Sequence, residues 1–62
     1  MNKAEQFADA KVRALALMRK MTAESAARRM AAEFDICIYA AHGGIYGSFY
    51  ETDRNEVVVR LA

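Results

Sequence analysis

The 62-residue sequence predicts a small α+β domain in which two helices pack on a three-stranded antiparallel β-meander, in the order ααβββ. Two changes in pattern support this. Helix-forming residues with helical periodicity fill residues 3–34, and a period of two with intervening turns follows in residues 36–61. A chain this short buries only about 60% of the surface that its unfolded form exposes, so we expect a single domain over residues 1–62.

The first helix is predicted from about Lys3 to Lys20. At roughly 100° per residue, its apolar side chains occupy more than half of the circumference, which is more than one face of a three-stranded sheet can cover. Small domains often gain stability from a second subunit, so this surface predicts a homodimer. The residues assigned to self-association are Phe7, Val12, Leu15, Leu17 and Met18.

A second helix is predicted from Ala23 to Glu33 or Phe34, with Thr22 as its N-cap. Its apolar stripe is displaced by more than 90° from the centre of the first helix's apolar arc, which predicts a turn or kink between Lys20 and Thr22. Because neither Gly nor Pro marks that turn, one continuous helix remains an alternative. On the outer side, Arg29 and Glu33 are spaced as an i,i+4 ion pair.

Three strands follow, separated by Ala41-His42-Gly43-Gly44 and by a polar turn at residues 52–55. One side of the sheet is predicted to face the helices, with Ile36, Ile38, Ile45, Phe49, Val57, Val59 and Leu61. The opposite side then carries all three tyrosines of the chain. Tyrosine combines a large contact area with a polar tip that tolerates water, so it is enriched in interfaces. We therefore assign partner binding to Tyr39, Tyr46, Tyr50 and Arg60; the alternative is an ordinary half-wet strand surface.

Charge is distributed unevenly along a chain whose net charge is +1. Residues 1–31 carry a charge of +4 and residues 32–62 a charge of −3. This asymmetry suits an oriented encounter with a charged partner, with Arg28 and Arg29 as the basic contact. It falls far short of the basicity expected of a non-specific nucleic-acid binder.

The side chains that could support catalysis or metal binding are sparse. His42 and Cys37 are five residues apart, whereas a closed zinc site needs four ligands, and no phosphate-binding loop or paired carboxylate motif occurs. We therefore expect no enzymatic activity, no cofactor and no metal. The first residues lack the pattern of a signal peptide, and no apolar run approaches the roughly 20 residues of a membrane span, so a cytoplasmic location without membrane contact is expected.

These expectations favour a protein-binding module that acts as an inhibitor or regulator by occluding a surface of another protein. Small domains without chemistry of their own include phage inhibitors of host defence such as anti-CRISPR proteins, an analogy based on size and on the absence of catalytic motifs. The alternative is a compact winged-helix regulator that binds nucleic acid, with residues 22–30 as the first helix of a helix-turn-helix. That alternative requires a recognition helix at residues 36–42, whose Ile-Cys-Ile-Tyr run favours a strand.

Overall fold

A computed structural model describes residues 3–62 as two helices followed by a three-stranded antiparallel sheet. The elements are α1 (Lys3–Leu17), α2 (Ala23–Glu33), β1 (Cys37–Ala41), β2 (Gly44–Tyr50) and β3 (Glu56–Arg60). The strands lie in the order β1-β2-β3, so β2 is central and the other two strands form the edges. The predicted ααβββ fold is therefore confirmed.

The connection between the helices is a tight turn at residues 18–21. α1 ends at Leu17, three residues before the predicted end, and the Met21 N–H donates to the Leu17 carbonyl at 3.0 Å. Thr22 then caps α2, since its side-chain oxygen accepts the Ser25 N–H at 3.2 Å. The alternative of one continuous helix is thus wrong. A reversal lets both displaced apolar stripes reach the same core.

α2 is the central element of the helical layer, because it packs on α1, β1 and β2. Its buried residues are Ala26, Ala27 and Met30. A bidentate ion pair links it to α1: Arg13 Nε and Nη2 donate to Glu33 Oε1 and Oε2 at 3.0 and 2.9 Å. Glu33 was predicted to pair with Arg29, but its bidentate partner lies on the other helix.

The β1–β2 hairpin is closed by a two-residue turn at His42-Gly43, flanked by the pair Ala41 and Gly44. Both central residues have positive φ, 51° at His42 and 75° at Gly43. This combination is typical of a type I′ turn, whose twist matches that of the flanking strands. The turn determines the register of the sheet and therefore which side chains share a face.

The helix side of the sheet forms the core, with Ile36, Ile38, Ile45 and Leu61 buried. Phe49 and Val59 are half-buried and pack against that cluster. From α1, the Phe7 ring lies 5.4 Å from the Phe49 ring, centroid to centroid. α1 therefore contributes to the same core as α2 and the sheet.

The predicted self-association surface of α1 is divided by the fold. Phe7 and Leu17 are buried in the core of the single chain, and Met18 is half-buried against it. These three side chains point inward because α2 and the sheet together cover one flank of the broad apolar arc, so this part of the assignment is corrected. Val12 and Leu15 remain exposed, by 71% and 60%.

Candidate protein-binding surface

The sheet face opposite the helices gathers side chains from all three strands. Tyr39 of β1 pairs with Tyr46 of β2, which in turn pairs with Arg60 of β3. Directly paired residues of antiparallel strands have side chains on the same face, within contact distance. The register thus turns three residues that are separated in sequence into one row across the sheet.

Within this row, the three side chains are held against one another. The Tyr39 and Tyr46 rings are stacked, with centroids 5.8 Å apart and planes 15° from parallel. The Arg60 guanidinium lies 5.7 Å from the Tyr46 centroid, a cation–π distance, and its Nε donates to the Ala62 carbonyl at 3.2 Å. Tyr46 is thereby half-buried between an aromatic neighbour and a cation.

Two further large side chains extend the row toward the other end of the sheet. Tyr50 is 68% exposed and Val58 is 48% exposed, whereas Tyr39 is 38% exposed. Tyr50 pairs with Glu56, so Val58 is its diagonal neighbour on β3. We call the outer surface formed by Tyr39, Tyr46, Tyr50, Val58 and Arg60 the tyrosine face.

The tyrosine face stays open because both helices pack on the other side of the sheet. Within the described part of the chain, no element lies over it. Ser48 is the small residue at its centre, and it is 2% exposed because larger side chains surround it. The face is therefore an open surface of large side chains around the small, buried Ser48, and a three-stranded sheet presents it.

The other predicted contact residues lie elsewhere on the molecule. Arg28 and Arg29 are exposed on α2, on the opposite side of the sheet from the tyrosine face. His42 is exposed in the β1–β2 turn, while Cys37 is exposed at the far end of β1. At about 3.3 Å per residue, the length of the strand separates these two side chains.

Over residues 3–62, no three His, Cys, Asp or Glu side chains cluster closely enough to hold a metal ion. Neither described helix has the length and apolar character needed to cross a membrane. The winged-helix alternative places its recognition helix at residues 36–42, but residues 37–41 form strand β1. That alternative therefore lacks the element that would enter a DNA groove.

The fold also contains a feature that the sequence interpretation missed. A groove of about 400 Å³ lies between α2 and the edge of β1, lined by Ala27 and Ala31 on one side and by Ile38 and Ala40 on the other. The available signals were the small side chains of α2 and the uncharged run at residues 36–41. Neither signal reveals that α2 and β1 form the two walls of one groove.

No protein-family model, curated protein sequence or solved structure matches this chain. Its functional interpretation therefore rests on its own geometry.

Proposed function

We propose that this chain is a non-enzymatic protein-binding module, which acts as an inhibitor or regulator by covering a surface of another protein with its tyrosine face. The observation that carries the proposal is the open row of Tyr39, Tyr46 and Arg60, with Tyr50 and Val58 beside it. Tyrosine and arginine are among the residue types that most often dominate the free energy of protein association.

The geometry of the row favours binding because its side chains are already ordered before a partner docks. Tyr46 is already held between Tyr39 and Arg60, on a strand that is paired on both sides. Side chains that are fixed before association lose less conformational entropy when a partner docks. On a preorganised aromatic surface, less of the favourable contact free energy is therefore offset by lost entropy, and the affinity is higher.

The charges around the face support a protein partner over nucleic acid. Arg60 is the one basic residue of the face, while Glu51, Asp53 and Glu56 lie exposed around the β2–β3 turn at the Tyr50 end. A surface that stacks single-stranded nucleic acid combines its aromatic rings with a positively charged groove. Acidic residues at one end would repel a phosphate backbone.

The size of the molecule supports a mechanism based on occlusion. The described residues expose 4242 Å² in total, and a standard interface takes about 800 Å² from each partner, or roughly a fifth of that surface. A single contact of standard size would therefore cover a large share of the molecule. In this proposal the module acts by excluding other molecules from the surface that it covers.

The proposal includes a homodimer, because a core of this size gives a stability of only about 3 to 9 kcal/mol. Of the predicted α1 contact residues, Val12 and Leu15 remain exposed. Two apolar side chains on one helix provide a limited contact, so α1 alone is a weak candidate for the dimer interface.

The test compares two double variants in a capture experiment. Immobilised chain is incubated with an extract of the cells that encode it, and retained proteins are quantified by mass spectrometry. Tyr50→Ser with Val58→Ser removes the exposed end of the tyrosine face. The matched control, Val12→Ser with Leu15→Ser, removes exposed apolar area from α1.

We expect the face variant to lose at least about tenfold in affinity for a partner that the wild type retains, as loss of an interface hot spot does. The α1 control should bind that partner as the wild type does. Affinities are then measured with the purified partner. Equal retention by both double variants would contradict the proposal, and retention that nuclease treatment abolishes would indicate nucleic-acid binding instead.

A further inference from the structure

The free edge of β1 carries backbone hydrogen-bonding groups that no strand satisfies in the described part of the chain. Ile45, which is paired with Ala40 of β1, donates its N–H to the Ala62 carbonyl at 2.9 Å and accepts the Leu61 N–H at 2.7 Å. Its backbone groups therefore point toward β3. Because hydrogen bonding alternates along an antiparallel ladder, Ala40 and Ile38 direct their N–H and C=O groups out of the sheet.

This edge is accessible through the groove between α2 and β1. A second depression, of about 320 Å³, continues the groove toward the β1–β2 turn and shares Glu24 and Ala40 with it. The helix wall consists of the small residues Ala27 and Ala31, flanked by Glu24 and Arg28. Small side chains on the helix wall leave space for another backbone beside the edge of β1.

The two edges of the sheet differ in how well they are protected. β3 ends in the charged residues Glu56 and Arg60, and Leu61 and Ala62 both bond to Ile45, which makes a bulge. Charges and bulges are the usual means by which proteins prevent edge strands from pairing. β1 has neither feature, since residues 37–41 are uncharged and pair with β2 without interruption.

We infer that a second copy of this chain occupies the groove, and that the two β1 strands pair antiparallel across a twofold axis to form a continuous six-stranded sheet. The axis passes beside Tyr39. Ile38 then lies opposite the partner's Ala40, and the outward N–H and C=O groups of both residues find partners. Tyr39 lies opposite the partner's Tyr39 as a non-hydrogen-bonded pair, in which side chains approach most closely.

The two helical layers meet at small side chains in this arrangement. α2 packs on β1 more extensively than on β2, so the two α2 helices lie close to the twofold axis. Helices that approach each other closely need small side chains at their contact. Ala27 and Ala31 line the flank at which they meet.

Charge complementarity argues for a second copy over an unrelated strand. The α2 residues that line the groove extend from Glu24 to Ala31 above the middle of β1. A twofold axis beside Tyr39 reverses α2, so that Glu24 approaches the partner's Arg28 and Ala31 approaches the partner's Glu24. Such a pattern, acidic and basic on the same patch, is what a twofold interface requires.

The inference rests on the homodimer of the proposed function and assigns its interface, and it does not require the protein that binds the tyrosine face. Pairing of the two β1 strands would also change the shape of the tyrosine face. In the paired sheet, Tyr46 and Tyr39 of one chain continue into the partner's Tyr39 and Tyr46, so both tyrosine faces lie on one side. The dimer would thus present one aromatic surface of twice the width.

The first test is a pair of proline variants studied by sedimentation velocity. Ala40→Pro removes an outward N–H at the β1 edge, and Val58→Pro removes the equivalent N–H at the β3 edge, since Val58 does not bond to β2 in the alternating ladder. We expect a wild-type dimer at micromolar concentrations, a monomeric Ala40→Pro variant and a dimeric Val58→Pro variant. Dissociation by Val58→Pro alone would overturn the inference.

A second pair of variants tests the interface without changing a strand. Ala31→Glu puts a carboxylate near the partner's Glu24, whereas Ala31→Lys puts an ammonium there, both at an exposed helix position. We expect the dissociation constant to rise at least tenfold for the first variant and to stay unchanged or fall for the second. If circular dichroism shows that Ala40→Pro is unfolded, the two Ala31 variants still test whether the dimer forms through this interface.

Hydrogen exchange shows directly which edge of the sheet, β1 or β3, forms the dimer interface. The amide protons of Ile38 and Ala40 should become protected as the concentration rises, while that of Val58 should not. Tyr50→Ser with Val58→Ser should remain dimeric even if it loses the outer partner, which separates this inference from the proposed function. The inference would be overturned if the wild type is monomeric, or if the β1 edge becomes protected only when another protein is added. It would also be overturned if Leu15→Lys dissociates the dimer and the β1-edge variants do not.

Discussion

At the scale of single residues, Gly47 shows how closely α1 approaches the sheet. A Cβ built on Gly47 would lie 2.9 Å from Phe7 Cε1 and 3.2 Å from Leu61 Cδ1. We expect Gly47→Ala to destabilise the fold by about 1 to 3 kcal/mol because of this close contact. The clash should outweigh the advantage that alanine has over the more flexible glycine in a strand. Urea unfolding measures this. If Phe7 causes the clash, the double variant Gly47→Ala with Phe7→Leu should lose less free energy of unfolding than the sum of the losses of the two single variants.

The ion pair between Arg13 and Glu33 predicts a dependence of stability on pH. The hydrogen bonds from Arg13 lower the pKa of Glu33 below its ordinary value of 4.5, and the same contact raises the pKa of Arg13. Because the pKa of Glu33 is lower in the folded chain, the pair stabilises the fold above about pH 4.5 and this contribution is lost as pH falls through the folded pKa.

Urea unfolding of the wild type and of Glu33→Gln should therefore differ near neutral pH, with the wild type more stable. The difference should narrow as the pH falls below 4.5. Arg13→Gln removes the same hydrogen bonds and should abolish the same pH dependence. A constant difference between the wild type and Glu33→Gln at every pH would show that the ionisation of Glu33 does not contribute to the stability.

At the scale of elements, α2 depends on its N-cap. The Thr22 side-chain oxygen accepts the Ser25 N–H, which would otherwise have no partner in the first turn. Thr22→Ala should cost about 1 kcal/mol, within a range of roughly 0.5 to 2. In a domain this small, that corresponds to a fall in Tm of about 4 to 8 °C, measurable by circular dichroism. Thr22→Ser keeps the acceptor and should leave Tm nearly unchanged.

The β1–β2 turn is a second element with a specific backbone requirement. His42 has φ of 51°, a region in which β-branched side chains are strained. His42→Val should destabilise the chain by about 1 to 2 kcal/mol. His42→Asn suits a type I′ turn and should be neutral or stabilising in the same thermal unfolding experiment. Equal stability of the two variants would show that the turn has another conformation.

At the scale of the whole molecule, dimer formation should couple stability to concentration. A ligand or subunit that binds only the folded state raises Tm, and for a dimer the effect grows with protein concentration. We expect the Tm of the wild type to rise over a hundredfold increase in concentration and that of Ala40→Pro to stay constant. Differential scanning calorimetry at several concentrations measures both. A Tm of the wild type that is independent of concentration would contradict a dimer.

The sequence predicted the secondary structure well because local rules govern it here. The period of two put Ile38 and Tyr39 on opposite faces, and the side-chain oxygen of Thr22 marked the start of α2. The end of α1 was predicted three residues late, since no Gly or Pro marks the turn and the reversal depends on packing between the helices.

The sequence alone determined the order of the elements, the two faces of the sheet and the grouping of the tyrosines on one of them, because these follow from side-chain period and turn chemistry. The tertiary structure decided which flank of α1 is buried, which partner Glu33 takes and where a groove opens beside β1. Arg13 and Glu33 are 20 residues apart, and the groove walls come from α2 and β1. Such contacts depend on how the helices lie on the sheet, and local periodicity does not encode that arrangement.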